Sequence, residues 1–118
     1  MNDTKASFLR REPIFATKFV RLLLDQRVAN DLGAPAFVLL AVVAHTEDTR
    51  RGRPAALFDG ELMPMIGASS RRVLAEVRDR AVAAGWLRFQ AVSGGKPGLY
   101  RVTIPAGLEL PSDPTGGR

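Results

Sequence analysis

Cysteine is absent from this chain of 118 residues. Without a thiol the chain has no disulfide, no thiolate-bound metal and no cysteine nucleophile. Aromatic residues are few, with one Trp, one Tyr and six Phe, and His45 is the single histidine. A lone histidine without partners at ligand spacing indicates a structural residue, so we expect no metal and no cofactor.

Long apolar runs and catalytic patterns are missing as well. The longest apolar run, residues 34–44, includes a proline and is too short to span a bilayer. The first residues lack the apolar stretch of a signal peptide, so we expect a cytoplasmic protein that does not enter a membrane. The carboxylates are scattered, and no glycine-rich loop follows a strand and opens a helix. We predict no enzyme activity and no small-molecule substrate.

The chain does have the composition of a globular domain, with an excess of positive charge. Hydrophobic residues make up 46% of it, and the net charge is +5. Residues 71–101 carry seven basic against two acidic residues, a local net charge of +5. A basic face of this kind favours phosphate binding, and a solvated basic surface is the alternative.

Apolar periodicity and turn residues predict a mainly α fold with a small β-sheet. The expected helices span about 17–30, 35–47, 59–66 and 69–84, and the expected strands about 55–58, 86–92 and 99–104. The second helix is apolar on every side, which is typical of a helix buried all round. We expect a flexible arm over residues 1–13, a folded domain over 14–104 and a disordered tail or linker over 105–118.

The turn between the third and fourth helices is the most informative stretch. Gly67 and Ala68 permit only a sharp turn, and Gly67 suits the left-handed backbone after a helix. Ser69 or Ser70 is a credible N-cap for the next helix. Two strand-type runs follow, separated by the turn residues 93–98.

This order of helix, tight turn, helix and hairpin resembles the winged helix-turn-helix superfamily. The resemblance covers residues 34–104 and is carried by the Ile-Gly-Ala-Ser-Ser-Arg-Arg turn (66–72) and the Ala-Gly-Trp-Leu ending (84–87). It implies that helix 69–84 enters the major groove of double-stranded DNA and that hairpin 93–98 is a wing. The chain is also similar to the N-terminal domains of phage and plasmid replication initiators and to small bacterial transcription regulators. That similarity implies a role in replication initiation or transcription regulation.

Candidate DNA-binding residues lie on the fourth predicted helix. Arg71 stands in its first turn, and neither Arg71 nor Arg78 has an acidic residue four positions later. Arg72 has the spacing of a helical ion pair with Glu76, and so has Arg80. Ser69 and Ser70 either cap the helix or donate to a phosphate.

Further candidates lie outside that helix. Lys96 at the hairpin tip either touches DNA or solubilises an exposed turn, and DNA contact is favoured. Arg50 and Arg51 either clamp a phosphate or form a solvated connector. Arg88 and Arg101 are expected opposite each other across the hairpin, where like charges repel unless an anion lies between them.

The sequence leaves two questions about binding partners open. A winged helix that binds an acidic protein partner would carry a similar charge, so a protein–protein interaction module is the alternative function. Helix-turn-helix modules often bind palindromes as dimers. The predicted helix 17–30 is the expected homodimer element, although no residue pattern requires a dimer.

Overall fold

The computed structural model describes residues 15–111. Within that range the chain is mainly helical, with a small three-stranded antiparallel sheet, as predicted. The helices are α1 (Phe15–Asp25), α2 (Val28–Leu32), α3 (Ala34–Thr49), α4 (Asp59–Ile66) and α5 (Arg71–Ala83). The strands are β1 (Ala55–Leu57), β2 (Leu87–Gln90) and β3 (Gly98–Val102). None of these helices has both the length and the apolar character needed to cross a bilayer.

Helix α3 forms the centre of the core. It packs against α1, α2, α4, α5, β1 and β3, and along it only Ala34, His45 and Thr49 are exposed. Pro35 lies in its first turn, where the missing N–H costs no helical hydrogen bond. The sequence predicts burial all round this helix, and the structure agrees except at these three exposed residues. The helix extends beyond the predicted end at residue 47.

The predicted single helix over 17–30 is wrong. Helix α1 ends at Asp25 and α2 begins at Val28, because Arg27 adopts a left-handed backbone with φ of 56°. The Arg27 carbonyl then accepts hydrogen bonds from the backbone N–H groups of Asn30 (3.0 Å) and Asp31 (3.1 Å), which starts the second helix. A non-glycine residue rarely adopts positive φ, so the residue types do not indicate this break.

Two carboxylates at the end of α3 bind backbone groups of distant elements. Asp48 Oδ2 accepts a hydrogen bond from the Ala16 N–H at 2.9 Å, in the first turn of α1. Glu47 is 1% exposed, and its Oε2 accepts from the Val102 N–H at 2.6 Å, at the end of β3. These contacts fix α1 and the sheet to the central helix.

The sheet has the strand order β1-β3-β2, so β3 is central and β2 is an edge. All three predicted strands are present. β1 and β2 are shorter than predicted, and β3 begins one residue before and ends two residues before its predicted bounds. The predicted pairing of Arg88 opposite Arg101 is confirmed. Trp86, just before β2, is buried and directs an edge contact to Phe19 of α1, with ring centroids 5.8 Å apart.

The folded part extends further than the predicted boundary at residue 104. Leu108 and Leu110 pack against the core, which corrects the expected tail over 105–111. The predicted arm of residues 1–13 and the end of the predicted tail, residues 112–118, lie outside the described residues.

Candidate functional site

The turn between α4 and α5 is closed by two residues with different functions. Gly67 has a φ of 76° and donates its N–H to the Met63 carbonyl, which ends α4 in a left-handed cap. Ser70 is the N-cap of α5, and its hydroxyl accepts a hydrogen bond from the Val73 N–H at 3.2 Å. The capping role for Ser70 is therefore confirmed, while Ser69 beside it is exposed.

Helix α5 buries one face, and three of its four arginines, Arg71, Arg72 and Arg80, are exposed. Leu74, Val77 and Ala81 are buried. Arg72 is 79% exposed and pairs with Glu76 at 3.0 Å, a helical ion pair worth only about 0.3–0.5 kcal/mol. Such a pair opens readily, so the Arg72 guanidinium stays available to a ligand.

Arg78 has a different environment from the other arginines of α5. Its side chain is 13% exposed, and its guanidinium carbon lies 4.0 Å from the centroid of the Phe89 ring. Its Nη1 donates to the Tyr100 hydroxyl at 3.0 Å and to Asp59 Oδ1 at 3.5 Å. Arg78, a candidate DNA-binding residue, thus contacts α4 and both strands of the hairpin. Sequence spacing within α5 could not reveal partners 19 and 22 positions away.

The hairpin supplies an aromatic pair to this cluster. Phe89 and Tyr100 are cross-strand partners whose ring centroids are 4.8 Å apart. Burial raises the pKa of the Tyr100 phenol above its usual value, and this effect outweighs the opposing hydrogen bond and charge of Arg78. The phenol is therefore held in its neutral form, as a partner for Arg78.

Gly98 makes room for the Phe89 ring. A Cβ at this position would lie 2.6 Å from Phe89 Cε1, well inside van der Waals contact. Glycine therefore allows the ring to lie over the start of β3 and beneath the Arg78 guanidinium.

A groove separates the first turns of α4 and α5 from the hairpin loop, residues 91–97. This helix–hairpin groove has a volume of about 440 Å³, and its charged lining residues are Asp59, Arg71, Arg78 and Lys96. Asp59 lies beside Arg78, whereas Arg71 and Lys96 are exposed. No ion pair joins either of these two to any residue within 15–111. Two candidate residues chosen on separate grounds therefore line the same basic groove.

Arg50 and Arg51 lie away from this groove. They follow α3, and Arg51 is exposed with a φ of 60°. Strand β1 then runs from Ala55, opposite Tyr100, to Leu57, opposite Gly98 at the loop end of the hairpin. The basic connector is thus at the opposite end of β1 from Lys96.

Known proteins offer no guide to this site. Comparisons of the chain with protein-family models, with curated proteins and with solved structures gave no match. In the described part of the chain, no three histidine or carboxylate side chains are grouped so as to hold a metal ion. The geometry and charge of the helix–hairpin groove are therefore the basis for assigning a function.

Proposed function

We propose that this chain is a winged helix-turn-helix protein that binds double-stranded DNA. Helices α4 and α5 form the helix-turn-helix, α5 is the recognition helix, and the β2–β3 hairpin is the wing. The observation that carries the proposal is the shared groove of Arg71, in the first turn of α5, and Lys96, on the hairpin loop.

Arg71 has the position that DNA contact requires. In helix-turn-helix proteins the N-terminal residues of the recognition helix reach base edges in the major groove. The N-terminus of a helix also carries a partial positive charge, which adds to the attraction for phosphate. We assign Arg71 to the major groove, with the exposed Ser69 and Arg72 beside it as backbone contacts.

The wing supplies a second contact at a fixed distance. Gly94 and Gly95 have φ values of 79° and 73°, so the loop turns sharply before Lys96. Arg78 joins α5 to both hairpin strands through Phe89 and Tyr100. Because the helix and the wing are already fixed to each other, less conformational entropy is lost when both contact one duplex.

The basic charge of this groove suits DNA and an acidic protein partner alike, and we favour DNA because only one large exposed hydrophobic residue lines the groove. Arg71 and Lys96 are exposed basic side chains. Exposed arginine and lysine residues on one surface are the footprint of phosphate binding. Large exposed hydrophobic residues are what a protein interface would favour. Among the described residues Phe58 is one that lines the groove, whereas Leu24, Met65 and Val82 do not. Such a module would serve replication initiation or transcription regulation in a bacterium or its mobile elements, without catalysis.

Binding to a random-sequence duplex tests this function. Fluorescence anisotropy of a labelled duplex, titrated with the full chain at a series of KCl concentrations, gives the affinity and its salt dependence. We expect the logarithm of the binding constant to fall linearly with the logarithm of salt, with a slope near −0.9 for each phosphate contacted. Absence of binding at the lowest salt would overturn the proposal and would favour the acidic protein partner.

A further inference from the structure

The outer face of the sheet carries a second basic surface, distinct from the helix–hairpin groove. Leu87 and Val102 are paired and buried, as are Tyr100 and, in part, Phe89, so these residues face the core. Side chains alternate along a strand, and Arg88, Gln90, Leu99 and Arg101 therefore form the outer sheet face.

Arg88 and Arg101 are directly opposite each other on this face. Residues opposite in an antiparallel pair have Cβ atoms about 4.5–5.5 Å apart, and like charges at that distance destabilise the pair. Among the residues that the structure describes, no carboxylate forms an ion pair with either arginine. A bound anion would relieve this repulsion.

The cavity beside the two arginines is only partly basic. It has a volume of about 470 Å³, and its lining includes Pro54, Val82 and Leu99 together with Arg88 and Arg101. Val82 is 42% exposed, on the last turn of α5. Nucleic-acid phosphates would contact the two guanidinium groups but not the apolar residues that line the cavity. A peptide with both acidic and apolar side chains would use both.

Strand β2 borders this cavity and is an edge of the sheet. Its described backbone pairing is to β3 alone, so the main-chain groups on its other side are available to a further strand. Extended peptides bind in this way, with main-chain hydrogen bonds giving affinity and side-chain pockets giving specificity.

We propose that the edge of β2 and the outer sheet face bind an extended peptide segment of a partner protein, in which acidic and apolar residues alternate. Acidic side chains on one face of the added strand contact Arg88 and Arg101, and apolar side chains on the other face contact Val82, Leu87 and Phe89, which also line the cavity. This surface is separate from the proposed DNA contacts, and it acts whether or not the chain binds DNA.

A labelled, capped peptide of sequence Glu-Val-Glu-Val-Glu-Val tests the proposal, with the full chain as receptor and anisotropy as the readout. We expect saturable binding. The peptide Glu-Glu-Glu-Val-Val-Val has the same composition but no alternation. Its affinity should be lower by about tenfold or more. A backbone N-methylated copy of the alternating peptide should lose binding, because it lacks the donors that a strand needs.

Variants of the two arginines locate the site. Arg88→Gln with Arg101→Gln should weaken binding of the alternating peptide by about tenfold or more, since two charge-assisted contacts are lost. Arg21→Gln, on the exposed face of α1, removes one positive charge elsewhere and should leave binding unchanged. A circular dichroism spectrum of the double variant, compared with that of the parent chain, checks that the variant is folded.

Three results would overturn the proposal. The first is that the alternating peptide does not bind. The second is that the double variant binds it as tightly as the parent chain. The third is that the double variant instead lowers the salt slope of DNA binding by about two, which would make the outer sheet face a phosphate surface. Peptide binding by a chain that fails to bind duplex DNA would remove the proposed function but leave this surface in place.

Discussion

The central carbon of the Arg78 guanidinium lies 4.0 Å from the centroid of the Phe89 ring. The same guanidinium donates to the Tyr100 hydroxyl at 3.0 Å. One side chain of α5 therefore holds both strands of the hairpin, and the distance between the helix and the hairpin loop depends on it. Arg78 is a positioning residue for the groove that Arg71 and Lys96 line.

Replacing Arg78 should destabilise the fold. Arg78→Met keeps an aliphatic stem but removes the cation–π contact and the hydrogen bond to Tyr100. We expect the free energy of unfolding in urea to fall by about 1–3 kcal/mol. Arg72→Met is the matched control on the same helix, and its exposed pair with Glu76 predicts a loss of no more than about 0.5 kcal/mol. Equal losses in the two variants would contradict the positioning role.

The same variant separates positioning from direct DNA contact. A residue that holds the wing in place affects affinity, whereas a residue that neutralises a phosphate also changes the salt slope. We expect Arg78→Met to weaken duplex binding with the slope unchanged. A slope reduced by about one would show that Arg78 contacts the backbone directly, as its place on the predicted helix suggested.

Tyr100 should titrate above its usual range. Burial raises the pKa of its phenol from 10.0, so the folded state keeps the proton more firmly than the unfolded state. Its contribution to stability is complete below pH 10 and is lost as the pH rises through the folded-state pKa. Tyr100 is the only tyrosine, so tyrosinate absorbance reads its pKa directly. A Tyr100 pKa in the native protein no higher than its pKa in urea would contradict the assignment. The variant Tyr100→Phe should lose the part of the pH dependence of stability that the phenol contributes.

Two glycines should respond oppositely to alanine. Gly98→Ala places a Cβ 2.6 Å from Phe89 Cε1, and the displaced ring should cost about 1–3 kcal/mol of stability. Gly60, in the first turn of α4, has no heavy atom within 4 Å of an added Cβ. Gly60→Ala should stabilise the chain by about 0.4–1 kcal/mol. Thermal unfolding measures both changes, and a neutral Gly98→Ala would show that the ring can move without cost.

Ser69 and Ser70 should differ despite being adjacent. Ser70→Ala removes the hydroxyl that accepts from the Val73 N–H and should cost about 1 kcal/mol in chemical unfolding. Ser69→Ala changes an exposed side chain and should lie within about 0.5 kcal/mol of the parent. The opposite ranking would place the cap one residue earlier.

Local chemistry made much of this fold predictable. The left-handed cap at Gly67 and the N-cap at Ser70 require particular residue types, so a sequence pattern identifies them. The apolar positions Leu74, Val77 and Ala81 of α5 recur at helical spacing, and the strand-type runs 86–92 and 99–104 predicted the hairpin. These features depend on residues a few positions apart.

Features that depend on distant contacts were not predictable in the same way. Arg27 breaks a helix without glycine or proline, and Glu47 is buried because it binds a backbone group 55 positions away. Arg78 resembles Arg71 in the sequence, yet only Arg78 meets two aromatic rings and a carboxylate from other elements. Sequence patterning therefore located the basic helix but could not distinguish Arg71, the proposed contact residue, from Arg78, whose side chain packs against the hairpin.

One measurement tests most directly whether a single duplex spans the helix and the hairpin. It is the salt dependence of duplex binding by three variants: Arg71→Ala, Lys96→Ala and the double variant. We expect each single substitution to reduce the slope of log affinity against log salt by about one, and the pair by about two. Arg21→Ala is the charge-matched control and should leave the slope unchanged. A double variant with the slope of the parent chain would contradict the assignment of this groove to DNA.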